Sequence, residues 1–218
     1  MSSLDDALFE ALNSPPDYTR PDRLSPGLYG DYTVEHGKVW RRKYRHFDGL
    51  AKRYEHEDGE MHGAMEIAYD RWQPAGAADT SKLPVIVLTH GVPVNRHEWY
   101  AAARILARFA IVYTVDLLGM GQSSKPLDFP WEQSWDIQAH IFTDFLSGNG
   151  WYGSKSHFRE LQDPGKSVYL GGNDWGGGVV QRAVLMVKAR GLDKVKGYIL
   201  GSTVALNGYW VGSHSLTQ

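Results

Sequence analysis

The sequence predicts an α/β fold, a mostly parallel doubly wound sheet with helices on both faces, and three observations predict it. Three short runs, Leu83–Thr89, Ala110–Val115 and Ser167–Leu170, are apolar and rich in branched side chains, as strands buried on both faces must be. Helical periodicity returns between and after them, over Glu98–Arg108, Ser134–Leu146 and Val179–Arg190. Strands alternating with helices imply right-handed crossovers and parallel neighbours. Finally, each run leads directly into a distinctive motif: His90-Gly91-Val92-Pro93, Asp116 to Pro126, and Gly171 to Gly178. The three motifs therefore gather at the carboxyl ends of the strands, where sheets of this kind bind ligands.

Taken in order, residues 1–35 carry Pro15, Pro16, Pro21 and Pro26 among many polar residues and read as an N-terminal arm, with a short helix over Leu4–Leu12. Residues 36–218 read as one core domain. Val39 to Phe47 alternates weakly and is rich in Arg and Lys, which predicts an exposed edge strand. The run Arg41-Arg42-Lys43-Tyr44-Arg45 is balanced by acidic residues from Glu55 to Glu60 and reads as a solvated edge, not a nucleic-acid patch. Ala64 to Trp72 is a second strand and Ala75 to Ser81 a turn. The helix over Glu98–Arg108 should turn Trp99, Ala102, Ile105 and Leu106 inward, and the helix over Ser134–Leu146 should bury Trp135, Ala139, Phe142 and Phe145 or Leu146. A polar insertion spans Ser147–Lys166, and Val195–Leu200 is a last apolar strand.

Composition narrows the function. A net charge of −2 over 218 residues gives no electrostatic case for nucleic acid or an anionic membrane surface. The absence of cysteine excludes disulfides, thiolate catalysis and cysteine-ligated metals. The acidic start, Met1 to Asp6, lacks the apolar run of a signal peptide, and no stretch approaches a membrane span, so a cytoplasmic protein is expected. Nothing in the sequence calls for a cofactor or a metal. Gly119-Met120-Gly121-Gln122-Ser123-Ser124 nearly spells a dinucleotide fingerprint, but that motif must open a helix and Lys125-Pro126 stops one.

The most informative stretch is Gly172-Asn173-Asp174-Trp175-Gly176. A strand, a tight glycine-flanked turn and a helix with one reactive side chain at the apex describe a nucleophile elbow. Small residues flank the apex because the chain doubles back there. The apex holds Asp174 where serine is commoner. A serine needs a neighbouring base before it attacks, whereas a carboxylate is already ionised at neutral pH. Attack on an ester or amide would give a high-energy anhydride, so a carboxylate nucleophile suits saturated carbon bearing a leaving group. The bland alternative is that Asp174 only caps the following helix.

Together the three motifs resemble those of the α/β-hydrolase superfamily, in the branch with an aspartate nucleophile: epoxide hydrolases and haloalkane dehalogenases. The resemblance covers roughly residues 64–206. Its patterns are His-Gly-x-Pro at His90 to Pro93, Asp-x-x-Gly-x-Gly-x-Ser at Asp116, Gly119, Gly121 and Ser123, and Asp-Trp-Gly at Asp174, Trp175 and Gly176. It implies an alkyl ester on Asp174, which water then hydrolyses at the ester carbonyl. The backbone N–H groups of Val92 and Trp175 would form the oxyanion hole, with Trp175 also in contact with a small apolar organic substrate. His90 would hold its loop rather than act as a base.

The same resemblance defines what has no counterpart. In the family a late His activates the hydrolytic water and an acid orients it, and a lid supplies groups that protonate an epoxide oxygen or hold a halide. Here Gly201-Ser202-Thr203 offers no carboxylate, and His214, in a polar tail, is the only histidine beyond the elbow. The sequence therefore corresponds to the N-terminal portion of such a hydrolase, truncated before the lid and the last two strands. Three readings stand at this point. The first is an epoxide hydrolase, favoured because Val92 has no side-chain donor for a halide. The second is a haloalkane dehalogenase. The third is a non-catalytic remnant or binding module; a complementing chain or a homo-oligomer would complete the fold in another way.

Overall fold

The computed structural model describes residues 32–41, 45–48, 53–56, 65–76, 79–125, 135–147, 152–153 and 159–203. The expected helix over Leu4–Leu12, most of the N-terminal arm, much of the Ser147–Lys166 insertion and the tail with His214 lie outside them.

Seven strands form one mixed sheet: β1 (Tyr32–Arg41), β4 (Met65–Pro74), β5 (Val85–Thr89), β6 (Ile111–Val115), β7 (Tyr152–Gly153), β8 (Val168–Asn173) and β9 (Val195–Gly201). A separate hairpin joins β2 (Arg45–Asp48) to β3 (Arg53–His56). The order in the main sheet is β7-β1-β4-β6-β5-β8-β9. The half built from β6, β5, β8 and β9 is parallel, and β4, β1 and β7 extend it antiparallel. The helices are a 3₁₀ turn (Arg96–Trp99), α1 (Tyr100–Leu106), α2 (Trp135–Ser147), α3 (Arg159–Gln162) and α4 (Asp174–Ala189). No helix of the described residues is long and apolar enough to cross a membrane.

Alternation along the strands builds two cores, as a sheet covered on both faces requires. Val85, Val87, Ile111, Tyr113, Val115, Val168 and Leu170 face α2 and α4, where they meet Phe142, Phe145, Val180 and Ala183. Leu88, Val112 and Trp72 point the other way, onto Ala103 of α1 and Ala107 just past its end. Doubly wound packing thus follows from the apolar runs as expected. The buried face of α2 carries Ala139, Phe142, Phe145 and Leu146, also as the periodicity predicts.

Two expectations need correction. The strand expected at Val39–Phe47 lies earlier: β1 starts at Tyr32, pairs with β4 over its whole length and ends at Arg41. Val39 is fully buried, and Arg45 begins the separate hairpin. Tyr32 to Glu35, expected in the arm, belong to this strand. The inward face of α1 is also shifted. Ala103 and Ala107 are buried while Ile105 is 40% exposed, although Trp99 and Leu106 do pack inward. The 3₁₀ turn ahead of α1 advances three residues per turn, so the phase counted from Glu98 as a continuous α-helix does not hold.

Candidate active site

The elbow forms where β8 meets α4. The strand runs on through Gly171 and Gly172 to Asn173, and the helix begins at Asp174 itself, ahead of the Val179 start that periodicity suggested. Asp174 has φ +48°, in the left-handed region, at a cost of about 1–3 kcal/mol for a non-glycine residue. Such strain persists only where the surroundings fix it, and here backbone does. A Cβ on Gly172 would lie 2.4 Å from the Gly176 carbonyl oxygen, and one on Gly176 would lie 2.5 Å from the His90 carbonyl oxygen. The glycines thus let strand end, helix start and the His90 loop approach to backbone contact. Thr89 Oγ1 reaches the carbonyls of Gly171 and Gly176 at 3.2 Å each, and Thr203 Oγ1 donates to the Asp174 carbonyl at 2.9 Å.

The His90–Pro93 loop faces the elbow. Its Val92 N–H donates to Asp174 Oδ2 at 3.0 Å; among the described residues this is the carboxylate's hydrogen-bond partner. Gly91 allows the approach, since a Cβ there would lie 2.9 Å from Asp174 Cβ. The His90 ring is fully buried and both its nitrogens are engaged. Nε2 accepts from Leu117 N at 3.1 Å, so Nδ1 carries the proton and donates to the Gly91 carbonyl at 2.7 Å. Burial pushes this imidazole below its ordinary range, against smaller opposing effects of that carbonyl and of Asp116. A neutral ring with both nitrogens committed holds the loop and leaves no lone pair for a proton in transfer.

The third motif makes a different object. Asp116 is fully buried. Its Oδ1 accepts from Arg96 N at 2.8 Å, and its Oδ2 from Arg96 Nη1 at 2.5 Å and Gln122 N at 2.7 Å. Gly121, at φ +52°, leaves room for it: a Cβ there would lie 2.1 Å from Asp116 Oδ2. Ser123 Oγ donates to the Asp116 carbonyl at 2.8 Å and accepts from Ala68 N at 2.9 Å, tying the loop to β4. Among the described residues no helix opens between Gly119 and Lys125, so over that span the likeness to a dinucleotide fingerprint ends at the spelling.

Sequence reading missed the 3₁₀ turn that joins these loops. Arg96 bridges Asp116 and the fully buried Asp70, donating to Asp70 Oδ2 from Nε at 2.8 Å. Tyr100 and His36 also bond Asp70. Trp99 Nε1 donates to the Thr89 carbonyl at 2.8 Å. Between them, Glu98 accepts from Gly91 N at 2.8 Å and from Asn173 Nδ2 at 2.5 Å. One signal was legible: Asp70 follows the apolar run Ile67-Ala68-Tyr69 inside a strand, and an aspartate buried there calls for a cation.

Trp175 follows Asp174 at the elbow and packs against Trp135, with ring centroids 5.1 Å apart. Its backbone N–H lies in the first turn of α4, whose amides have no acceptor within the helix. Its indole N–H is buried with no hydrogen-bond partner among the described residues. The described residues contain no group of three His, Asp or Glu that could hold a metal.

The family model described as "Alpha/beta hydrolase family" matches residues 86–216. A fluoroacetate dehalogenase from Burkholderia sp. is 39% identical over 56 residues, which span 26% of this chain and 18% of that protein. Among solved structures, the epoxide hydrolase CorEH without ligand aligns at TM-score 0.46 and 18% identity, over 79% of this chain and 43% of that one. The haloalkane dehalogenase DbeA from Bradyrhizobium elkani aligns at TM-score 0.45 and 21% identity, over 80% of this chain and 43% of that one. A membrane phospholipase A aligns at TM-score 0.45 and 26% identity, over 62% of this chain and 36% of that one. The chain thus spans less than half the length of these proteins.

Proposed function

The chain belongs to the alpha/beta hydrolase family, and on that premise we propose that it carries the nucleophilic half of an epoxide-opening hydrolase, with Asp174 as the nucleophile. One observation carries the reading: a strained aspartate stands at the strand–helix apex with one carboxylate oxygen 3.0 Å from a loop amide, that of Val92.

In this reading Oδ1 attacks an epoxide carbon, the carbon–oxygen bond breaks, and the released alkoxide takes a proton from water. Oδ2 becomes the carbonyl oxygen of the new ester and already lies against Val92 N–H. Water attacking that carbonyl would place negative charge on Oδ2, which Val92 N–H and Trp175 N–H would stabilise as an oxyanion hole. Hydrolysis also needs a base. Among the described residues no histidine hydrogen-bonds the Asp174 carboxylate, and His90 is committed to its loop. The alkylation step is therefore the activity assigned to these residues, and turnover is assigned to groups outside them.

A carbon–halogen substrate is the second reading, favoured by the stretch 39% identical to a fluoroacetate dehalogenase. The buried Trp175 indole N–H, without an acceptor among the described residues, would then serve the departing halide. Styrene oxide and bromoacetate, each incubated with the folded protein and followed by intact mass, separate the two. The epoxide reading expects a stoichiometric adduct with styrene oxide that forms faster than any with bromoacetate. The reverse order supports the halide reading, and no adduct with either overturns both.

A further inference from the structure

We propose that Glu98 is a positioning residue that sets the distance between the Val92 amide and the Asp174 carboxylate. The inference rests on the reading of Asp174 as nucleophile and adds a residue to it. Val92 and Asp174 meet directly at 3.0 Å. One residue back on each side, the same two arms meet again through Glu98, which takes Gly91 N–H on Oε2 and Asn173 Nδ2 on Oε1. The carboxylate thus closes a small ring around the reacting pair.

Glu98 is itself held on both sides. Arg96 is locked to Asp116 and Asp70, and Trp99 to the end of β5, while Glu98 N donates to the Asn95 carbonyl at 3.0 Å. Both partners of Glu98 are donors, so the position requires two acceptors. A carboxylate supplies them. A glutamine of the same shape supplies one, and turns its amide hydrogens toward Gly91 N–H or the Asn173 amide. The consequence falls on the oxyanion hole, because a donor must lie about 2.7–3.1 Å from the oxygen that gains charge.

The test is Glu98→Gln in the full chain, with three readouts: unfolding midpoint, amide resonances and hydrogen exchange of ¹⁵N-labelled Gly91 and Val92, and alkylation by styrene oxide over a range of concentrations. A folded variant is expected in which both amides shift and Val92 exchanges about tenfold faster. Its maximal alkylation rate should fall roughly ten- to a hundredfold at an unchanged half-saturating concentration, as for a misplaced reacting group. Should Glu98→Gln not fold, Asn173→Ala opens one arm of the same ring from the other side and should give the same amide shifts. Unmoved amides with an unchanged rate in a folded variant overturn the proposal, since a packing role predicts that result for an isosteric change. If the unsubstituted protein forms no adduct, the nucleophile reading fails, and the Gly91 and Val92 amides alone decide whether Glu98 sets the loop.

Discussion

Asp116 and Asp174 each stand in a glycine-containing motif at the carboxyl end of the parallel strands, yet their surroundings are opposite. Asp116 is fully buried, takes three hydrogen bonds and is paired with Arg96. Asp174 is partly exposed, takes one hydrogen bond from a loop amide and sits in strained backbone. A carboxylate surrounded by donors has its charge already spent on structure. One held by a single oxygen has its other oxygen available to attack. In the proposed reading, the difference separates scaffold from chemistry within a single rim.

The largest expected effect breaks the comparison at its reactive end. Asp174→Asn replaces the proposed nucleophile by an amide of the same shape, so alkylation by styrene oxide should fall by more than about a thousandfold. The unfolding midpoint should barely move, because one hydrogen bond is at stake. Intact mass against time and a thermal melt of the same sample check both halves of this expectation.

At the other end, Arg96→Met leaves Asp70 and Asp116 buried without their cation. A loss of roughly 3–5 kcal/mol is expected from breaking such a network on one side, measured as the shift of the denaturant midpoint at constant slope. A stability unchanged within about 1 kcal/mol would deny Asp116 the scaffold role.

Gly176→Ala sharpens the comparison at the elbow. Its Cβ would meet the backbone of His90 and Thr89, which has no side chain to swing aside. A cost of about 1–3 kcal/mol should come with displacement of the Val92 amide from Asp174, seen as slower alkylation.

The smallest effect concerns His90. Its folded-state pKa is depressed by burial, so between the unfolded value of ~6.5 and the lower folded one the unfolded chain binds more protons. Stability is therefore full above the unfolded value and falls as pH drops through that window. Burial and the nearby Arg96 push His97 the same way. The slope of melting temperature against pH just below neutrality should flatten in His90→Asn, and an equal slope in that variant would place the titration elsewhere.

Much of this was readable because the cues were local. The runs at Val85–Thr89 and Ile111–Val115 admit no reading but buried strand, and glycines around Asp174 mark a sharp turn wherever they occur. The patterns that failed depended on partners distant in sequence. β1 is placed by its pairing with β4, which no spacing within residues 32–41 reveals. The phase of α1 depends on a 3₁₀ turn fixed by Arg96 reaching Asp70 and Asp116. Glu98 entered the sequence reading only as the start of a helix, because its two donors lie 7 and 75 residues away. Charged residues that organise a rim are legible only once the strands that bring their partners are in register.

The most direct measurement asks which aspartate carries the alkyl group. The folded protein is treated with styrene oxide to one equivalent of adduct, digested and mapped by tandem mass spectrometry. The account predicts the added mass on Asp174 alone, with the peptide containing Asp116 unmodified. An adduct on Asp116, modification scattered over surface carboxylates, or a folded protein with no adduct would contradict it.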